Sequence, residues 1–249
     1  MPAVSSRTEH QDFREPIRPY GAASRVLVVL AAFICLASLD HERIRVQGQP
    51  TPSPAETLLK ASEWEPSNLA EWQKRWAFYT PEKDSPREKT WTLQKGADND
   101  GPTLICLGKP YGYLRTRAAH EDFEFQFQWR YPKDVNGNSG ILVHTNEPDK
   151  IWPKAIQVQL HGPKAGSTFP LGGATSENTL EAKDISLPVN QWNTGVVTCR
   201  AGSISVTING KKVGEITGCN PGKGFIALQS EGSEIHFRKL SVRKLAAEK

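Results

Sequence analysis

The chain has 249 residues, enough for one large domain or two small ones, with 37% hydrophobic and 23% charged residues. That balance excludes disorder along the whole length and a polytopic membrane protein. The net charge of +4, from 31 basic and 27 acidic residues with no dense basic patch, gives no case for a nucleic-acid partner.

Residues 26 to 39 read VLVVLAAFICLASL and carry no charge. As a helix this run is about 21 Å long, short of a bilayer core of about 30 Å, and it fits a secretory apolar region. Arg7, Arg14, Arg18 and Arg25 precede it, offset by Glu9, Asp12 and Glu15. The long leader before the run keeps an uncleaved anchor open. Residues 1–39 are therefore expected to be a signal peptide or membrane anchor, and residues 40–60 a disordered Pro-rich linker. The globular domain is expected over 61–245, in an exported protein, periplasmic or extracellular. It would touch the membrane only through an uncleaved N-terminal segment.

Cys106, Cys199 and Cys219 follow the apolar run, an odd number. Cys199 and Cys219 flank a predicted hairpin and could pair; three buried free thiols is the preferred alternative. No CxxC supports a zinc or redox site.

Ala55–Ser62 and Leu69–Trp76 are the two segments with helical character. From Trp72 onward period-2 alternation dominates. In Phe123–Arg130, Phe123, Phe125, Phe127 and Trp129 share one face, and Glu124, Gln126, Gln128 and Arg130 the other. Further strands are predicted at Thr103–Leu107, Tyr113–Thr116, Ser139–His144, Ile156–His161, Trp192–Arg200, Ser203–Ile208, Lys212–Ile216, Gly224–Gln229 and Ile235–Val242. Asn209-Gly210 is a type I′ hairpin signal. Many short strands with turns between them predict an all-β sandwich or barrel, and about 190 residues suits a jelly roll of two antiparallel sheets.

Several segments in order carry a family resemblance. They are Leu104–Thr116, Glu121–Arg130, Asn138–His144, Trp152–Leu160, Gln191–Asn193, Asn209-Gly210, Ala227–Gly232 and Ile235–Arg238. Together they resemble the 3-keto-disaccharide hydrolase domain family of exported bacterial proteins. The resemblance spans roughly residues 65 to 245. It implies a concanavalin A-like jelly roll and action on glycosides, including those oxidised at the sugar C3. The expected partner is a carbohydrate. No cofactor is expected, and a divalent metal stays open; no dense Asp/Asn loop supports calcium.

Gln157, Gln159 and His161 share one face of their strand, and Ile156, Val158 and Leu160 share the other. A polar, uncharged face suits sugar hydroxyls, although a solvated outer face reads the same way. On the neighbouring strand His144 shares a face with Gly140 and Leu142, and Gly140 permits close approach. His144, Gln157, Gln159 and His161 are thus expected to meet. The candidate catalytic residues are His144, Gln157 and His161, with the two imidazoles as base and acid or as metal ligands. The candidate substrate-binding residues are Asn138, Trp152, Gln159, Gln229, Glu231 and Arg238. Trp152 is expected to stack on a sugar or pack at the rim, and Arg238 to reach carbohydrate or form an ion pair. Trp192 is expected in the core. The loop His161–Gly173 is expected over the groove mouth.

Chains resembling this one commonly have Glu where Gln157 stands and an acid where Ser167 stands. Conventional glycosidases use two carboxylates about 5 to 9 Å apart. Glu177, Glu181 and Glu231 are the remaining candidates, and no obvious pair exists on the groove strands. A 3-keto sugar offers another route. Its carbonyl acidifies the neighbouring C–H, so one base, with His144 as candidate, starts elimination of the glycosidic oxygen. A noncatalytic lectin-like module is the alternative.

Overall fold

The computed structural model describes residues 53–60, 69–96 and 101–246. The apolar run at 26–39 and most of the linker, with the signal or anchor expectation, lie outside them. No helix among the described residues is long and apolar enough to cross a membrane.

The domain is a two-sheet antiparallel sandwich. In chain order the elements are β1 (Glu56–Thr57), α1 (Leu69–Arg75), β2 (Trp76–Tyr79), β3 (Trp91–Gln94), β4 (Thr103–Cys106), β5 (Gly112–Thr116), β6 (Phe123–Arg130) and β7 (Gly140–Thr145). They continue with β8 (Ala155–Gln159), β9 (Thr168–Leu171), β10 (Asn193–Arg200), β11 (Ser203–Ile208), β12 (Lys211–Ile216), β13 (Phe225–Ser230) and β14 (Ile235–Lys244). One sheet has eight strands in the order β12-β11-β10-β6-β14-β4-β3, with β1 paired to β14. The other has six, β2-β5-β13-β7-β8-β9.

The alternation in β6 sends Phe123, Phe125, Phe127 and Trp129 into the space between the sheets. Ile141, Val143, Ile156, Val158, Ile226 and Leu228 of the six-stranded sheet belong to the same core. Sheets with one buried face stack this way because every second side chain must leave water. Asn209 and Gly210 both take positive φ, 50° and 75°, as a type I′ turn between β11 and β12 requires. Cys106, Cys199 and Cys219 are free thiols buried in this core.

Three expectations change. The helix expected over Ala55–Ser62 is instead the short strand β1, whose Glu56 and Thr57 pair with Val242 and Ser241. Strand β4 covers only Ile235–Arg238 of β14, so the backbone groups beyond it need another partner, and β1 supplies them. Inside the loop expected over the groove mouth, Thr168–Leu171 forms β9, the edge strand beside β8. Trp192 leaves the core: Arg130 and Arg238 lie 4.6 and 4.2 Å from its ring centroid on the outer face of the eight-stranded sheet. Asn193 enters instead, and its side-chain Oδ1 accepts hydrogen bonds from Leu187 N–H and from the Asn209 side-chain amide.

Candidate functional site: an amide face on the six-stranded sheet

The outer face of the six-stranded sheet collects residues by register. Tyr113 lies opposite Gln229, Leu228 opposite Ile141, and Gly140 opposite Gln159. One row across the face is therefore Tyr113, Gln229, Gly140 and Gln159. The next row is Arg115, Ala227, Leu142, Gln157 and Phe169.

Three of these polar side chains join with Asn138, just before β7, in one chain. Gln229 Nε2 donates to Gln157 Oε1 at 3.4 Å, Gln157 Nε2 donates to Gln159 Oε1, and Gln159 Nε2 donates to Asn138 Oδ1 at 3.0 Å. An amide has one acceptor and two donor hydrogens, so a directional chain leaves spare groups at its ends. Gln229 Oε1 is the buried acceptor left without a partner. Gly140 makes room for it: a Cβ there would lie 2.2 Å from Gln229 Oε1 and 3.2 Å from Gln157 Nε2. The glycine is required by close approach of these amides.

The ladder continues past the end of β8. Leu160 N–H donates to the Ser139 carbonyl at 2.9 Å and Gly162 N–H to the Gly137 carbonyl at 3.1 Å, which sets His161 beside Asn138. Two residues beyond Gln229 stands Glu231. Its carboxyl is half-buried, its Oε2 has no hydrogen-bond partner, and burial raises its pKa. Ser233 Oγ accepts the Asn138 N–H at 3.0 Å, which ties the Glu231 turn to the Asn138 end of the face.

The other end of the face is closed by charge. Arg115 is 4% exposed and binds Asp149 through Nε and Nη2 at 2.9 and 3.0 Å, and Glu147 at 2.9 Å. Tyr113 donates its hydroxyl hydrogen to Asp149 at 2.8 Å. Burial and then the neighbouring Asp149 raise the Tyr113 pKa, which keeps the phenol a donor. Burial opposes the charge on Arg115, yet Asp149 and Glu147 more than offset it and its pKa rises. These contacts hold the 146–154 loop, with exposed Trp152 on it, against the sheet. Fork-to-carboxylate bonding of this kind fixes orientation as well as charge.

The structure thus brings Asn138, Gln157, Gln159 and Gln229 together, with His161 and Glu231 at the same end. Two expected residues are elsewhere. His144 has φ of 52°, inside a bulge where Val143 and His144 oppose the single residue Ile226. The reversed backbone breaks the alternation that would have put it beside Leu142. Its ring stands edge-on to core Phe123 at 5.6 Å, and its Nε2 donates to the Glu121 carbonyl at 3.0 Å. Burial lowers its pKa. Arg238 belongs to the opposite sheet, where its Nε donates to Gln128 Oε1 at 2.7 Å. Strand β14 joins β6 and β4, and neither reaches the amide face.

Gln157 is on the face but is only 4% exposed and bonded on both sides, so it holds Gln159 and Gln229 in place. Ser167 is structural, its Oγ accepting the Ala182 N–H at 2.9 Å. Arg115, Tyr113 and Asp149 were missed by sequence reasoning. The alternation Tyr113-Leu-Arg115 was a usable signal, because it puts an arginine on the same side as a tyrosine next to a core leucine. Among the described residues no group of three or more His, Cys, Asp or Glu could hold a metal ion.

A family model described as the 3-keto-alpha-glucoside-1,2-lyase-like domain matches residues 60–243. The chain belongs to this family. It covers the whole sandwich except β1 and the last residue of β14. This member of the lyase-like domain family also resembles solved sandwiches at low identity. A candidate glycosyl hydrolase from Parabacteroides distasonis is 18% identical, with a TM-score of 0.51 over 77% of this chain and 100% of that one. LamAcat from Zobellia galactanivorans is 11% identical, with a TM-score of 0.52 over 79% and 98%. A prokaryotic β-1,3-1,4-glucanase (lichenase) from a mouse hindgut metagenome is 12% identical, with a TM-score of 0.51 over 78% and 99%. These likenesses establish a shared jelly-roll fold. No curated protein matches the chain.

Proposed function

We propose that the amide face binds the sugar of a glycoside oxidised at C3, and that Glu231 begins its cleavage by elimination. The observation that carries this reading is the directional chain Gln229–Gln157–Gln159–Asn138, uncharged and pre-ordered, with Glu231 two residues along the chain from Gln229, its carboxyl half-buried and one oxygen unpartnered. Amides in fixed orientation both donate and accept, as sugar hydroxyls do, without the desolvation cost of charge.

The chemistry needs one base. The C3 carbonyl acidifies the C2–H bond. Glu231 takes that proton, and the C–H electron pair forms the C1–C2 double bond as the C1–O bond breaks. The leaving oxygen then takes the proton from the Glu231 carboxylic acid, which restores the carboxylate. The products are an unsaturated 3-keto sugar and the free alcohol. Burial raises the pKa of Glu231, which strengthens the base once it is ionised. The family description, lyase-like on 3-keto glucosides, and the hydrolase-bearing fold support the reading.

A binding-only module is the second reading. It is favoured by the lack of a paired free carboxylate on this face among the described residues, since Asp149 and Glu147 are neutralised by Arg115. Turnover of methyl 3-keto-α-glucoside, followed by absorbance of the unsaturated ketone, separates the two. Turnover is expected with the wild type, with a loss of at least about 100-fold in Glu231→Gln. Glycan binding with no turnover would leave only the binding module. Full activity in Glu231→Gln would remove Glu231 as the base.

A further inference from the structure

The amide chain has a direction, and the direction decides what each end offers. Every link runs one way: Gln229 donates to Gln157, Gln157 to Gln159, and Gln159 to Asn138. The acceptor Oδ1 of Asn138 is therefore used. What remains at that end is the Nδ2 amino group, which only donates. Among the described residues neither Nδ2 hydrogen has an acceptor. The donor end is also the more open one, since Asn138 is half-buried and Gln229 is 2% exposed.

Asn138 is held on every side. Its N–H donates to Ser233 Oγ at 3.0 Å, and that hydroxyl donates to Asp134 Oδ2 at 2.9 Å. On either side, the Gly137 carbonyl accepts the Gly162 N–H at 3.1 Å, and Ser139 Oγ donates to the Gln229 carbonyl at 2.9 Å. With backbone and Oδ1 both fixed, the Nδ2 hydrogens keep one direction before any ligand arrives. Pre-aligned donors of this kind stabilise charge that develops on an oxygen.

A group that only donates separates a ketone from an alcohol. A ketone oxygen accepts two hydrogen bonds and carries no hydrogen. A hydroxyl in the same place also accepts, but its hydrogen then needs an acceptor, and Gln159 already occupies Asn138 Oδ1.

We propose that Asn138 Nδ2 is the donor to the C3 carbonyl oxygen of the sugar, and so a catalytic residue. The proposal rests on the sugar reading of the amide face and adds the group that recognises the oxidised carbon. As the C2–H bond breaks, its electron pair spreads through C3 onto the carbonyl oxygen. The pair returns to form the C1–C2 double bond as the C1–O bond breaks. Asn138 stabilises the oxygen while the charge is there and gives up no proton.

The test uses 1,5-anhydro-D-glucitol and its 3-ketone, which have no glycosidic leaving group, so binding is read without turnover. NMR titration compares the wild type with Asn138→Asp, which keeps the acceptor for Gln159 and removes both donor hydrogens. Thermal melting checks the variant's fold. In the wild type the ketone is expected to bind about tenfold tighter than the alcohol, with its carbonyl carbon shifted downfield in the complex. In Asn138→Asp the preference falls below about twofold and the carbonyl shift is lost. Turnover of methyl 3-keto-α-glucoside falls at least about 100-fold, as for loss of one oxyanion donor. Equal wild-type affinities, or a ketone preference that survives in the variant, overturn the Asn138 role and leave the sugar reading standing. If neither compound binds, the sugar reading fails and the Asn138 role with it. If the variant does not fold, the wild type decides. Asn138 side-chain N–H resonances that move with the ketone and not with the alcohol support the role; resonances that move with neither, or with both alike, overturn it.

Discussion

The two outer faces of the sandwich are both polar, and they differ in what the polar groups do. On the eight-stranded sheet Arg243 pairs with Glu124 at 2.9 Å, Arg238 bonds Gln128, and Arg130 and Arg238 cover Trp192. These are partly exposed contacts of long side chains, worth little each and easily replaced. On the six-stranded sheet the polar groups include four amides and one arginine, three of these five buried and Asn138 and Gln159 half-buried. Gln157, Gln229 and Arg115 are each no more than 4% exposed. Burying such groups costs free energy unless each finds partners, so a face built this way is either a fixed scaffold or a binding surface. The orphaned Gln229 oxygen, the glycine under it and the unpartnered Glu231 oxygen point to binding. Polarity alone does not mark a site; polarity that is buried, uncharged and incompletely satisfied does.

The largest test of this contrast is Asp149→Asn. It leaves Arg115 buried with only Glu147 and should destabilise the domain by about 3 kcal/mol in denaturant titration, as breaking a buried pair does. A loss below about 1 kcal/mol would place Arg115 with the exposed arginines of the other sheet.

Gly140→Ala comes next. The added methyl displaces the Gln229 amide, the far end of a flexible side chain, so folding should survive with a small drop in Tm. Glucoside affinity should fall about tenfold, equivalent to about 1.4 kcal/mol. Unchanged affinity would show that the amide chain is scaffold and does not touch sugar.

A smaller effect concerns the bulge that turns His144 off the face. Burial lowers the pKa of both His144 and His120 below the ordinary histidine value. The unfolded chain then binds more protons as pH falls through about 6.5, so stability is lost on acidification and regained as pH rises. Between pH 7.5 and 5.5 the Tm should fall about 3 °C further in the wild type than in a His120→Gln/His144→Gln variant. Equal slopes would mean that neither imidazole is held neutral by the fold.

Arg238→Ala should do least. Glucoside affinity should stay within about twofold, and stability within about 1 kcal/mol. A tenfold loss of affinity would move the sugar to the eight-stranded sheet and reverse the comparison.

Much of the sandwich was legible in the residues themselves. The Phe123–Trp129 alternation set one sheet's inner face, the Asn209-Gly210 pair set a hairpin, and Gln157 and Gln159 shared a polar face, because period-2 geometry and turn sterics act over a few residues. Tertiary structure decided the rest. A one-residue bulge at Val143-His144 sent His144 into the core, and the pairing of β14 with β6 put Arg238 on the far side. Packing between Gly140 and Gln229 turned a polar face into a buried amide chain. Register shifts, sheet membership and burial depend on which distant strands pair, and no local spacing encodes that choice. The sequence determined which groups could meet a sugar; only the folded sheets decided which of them share one face.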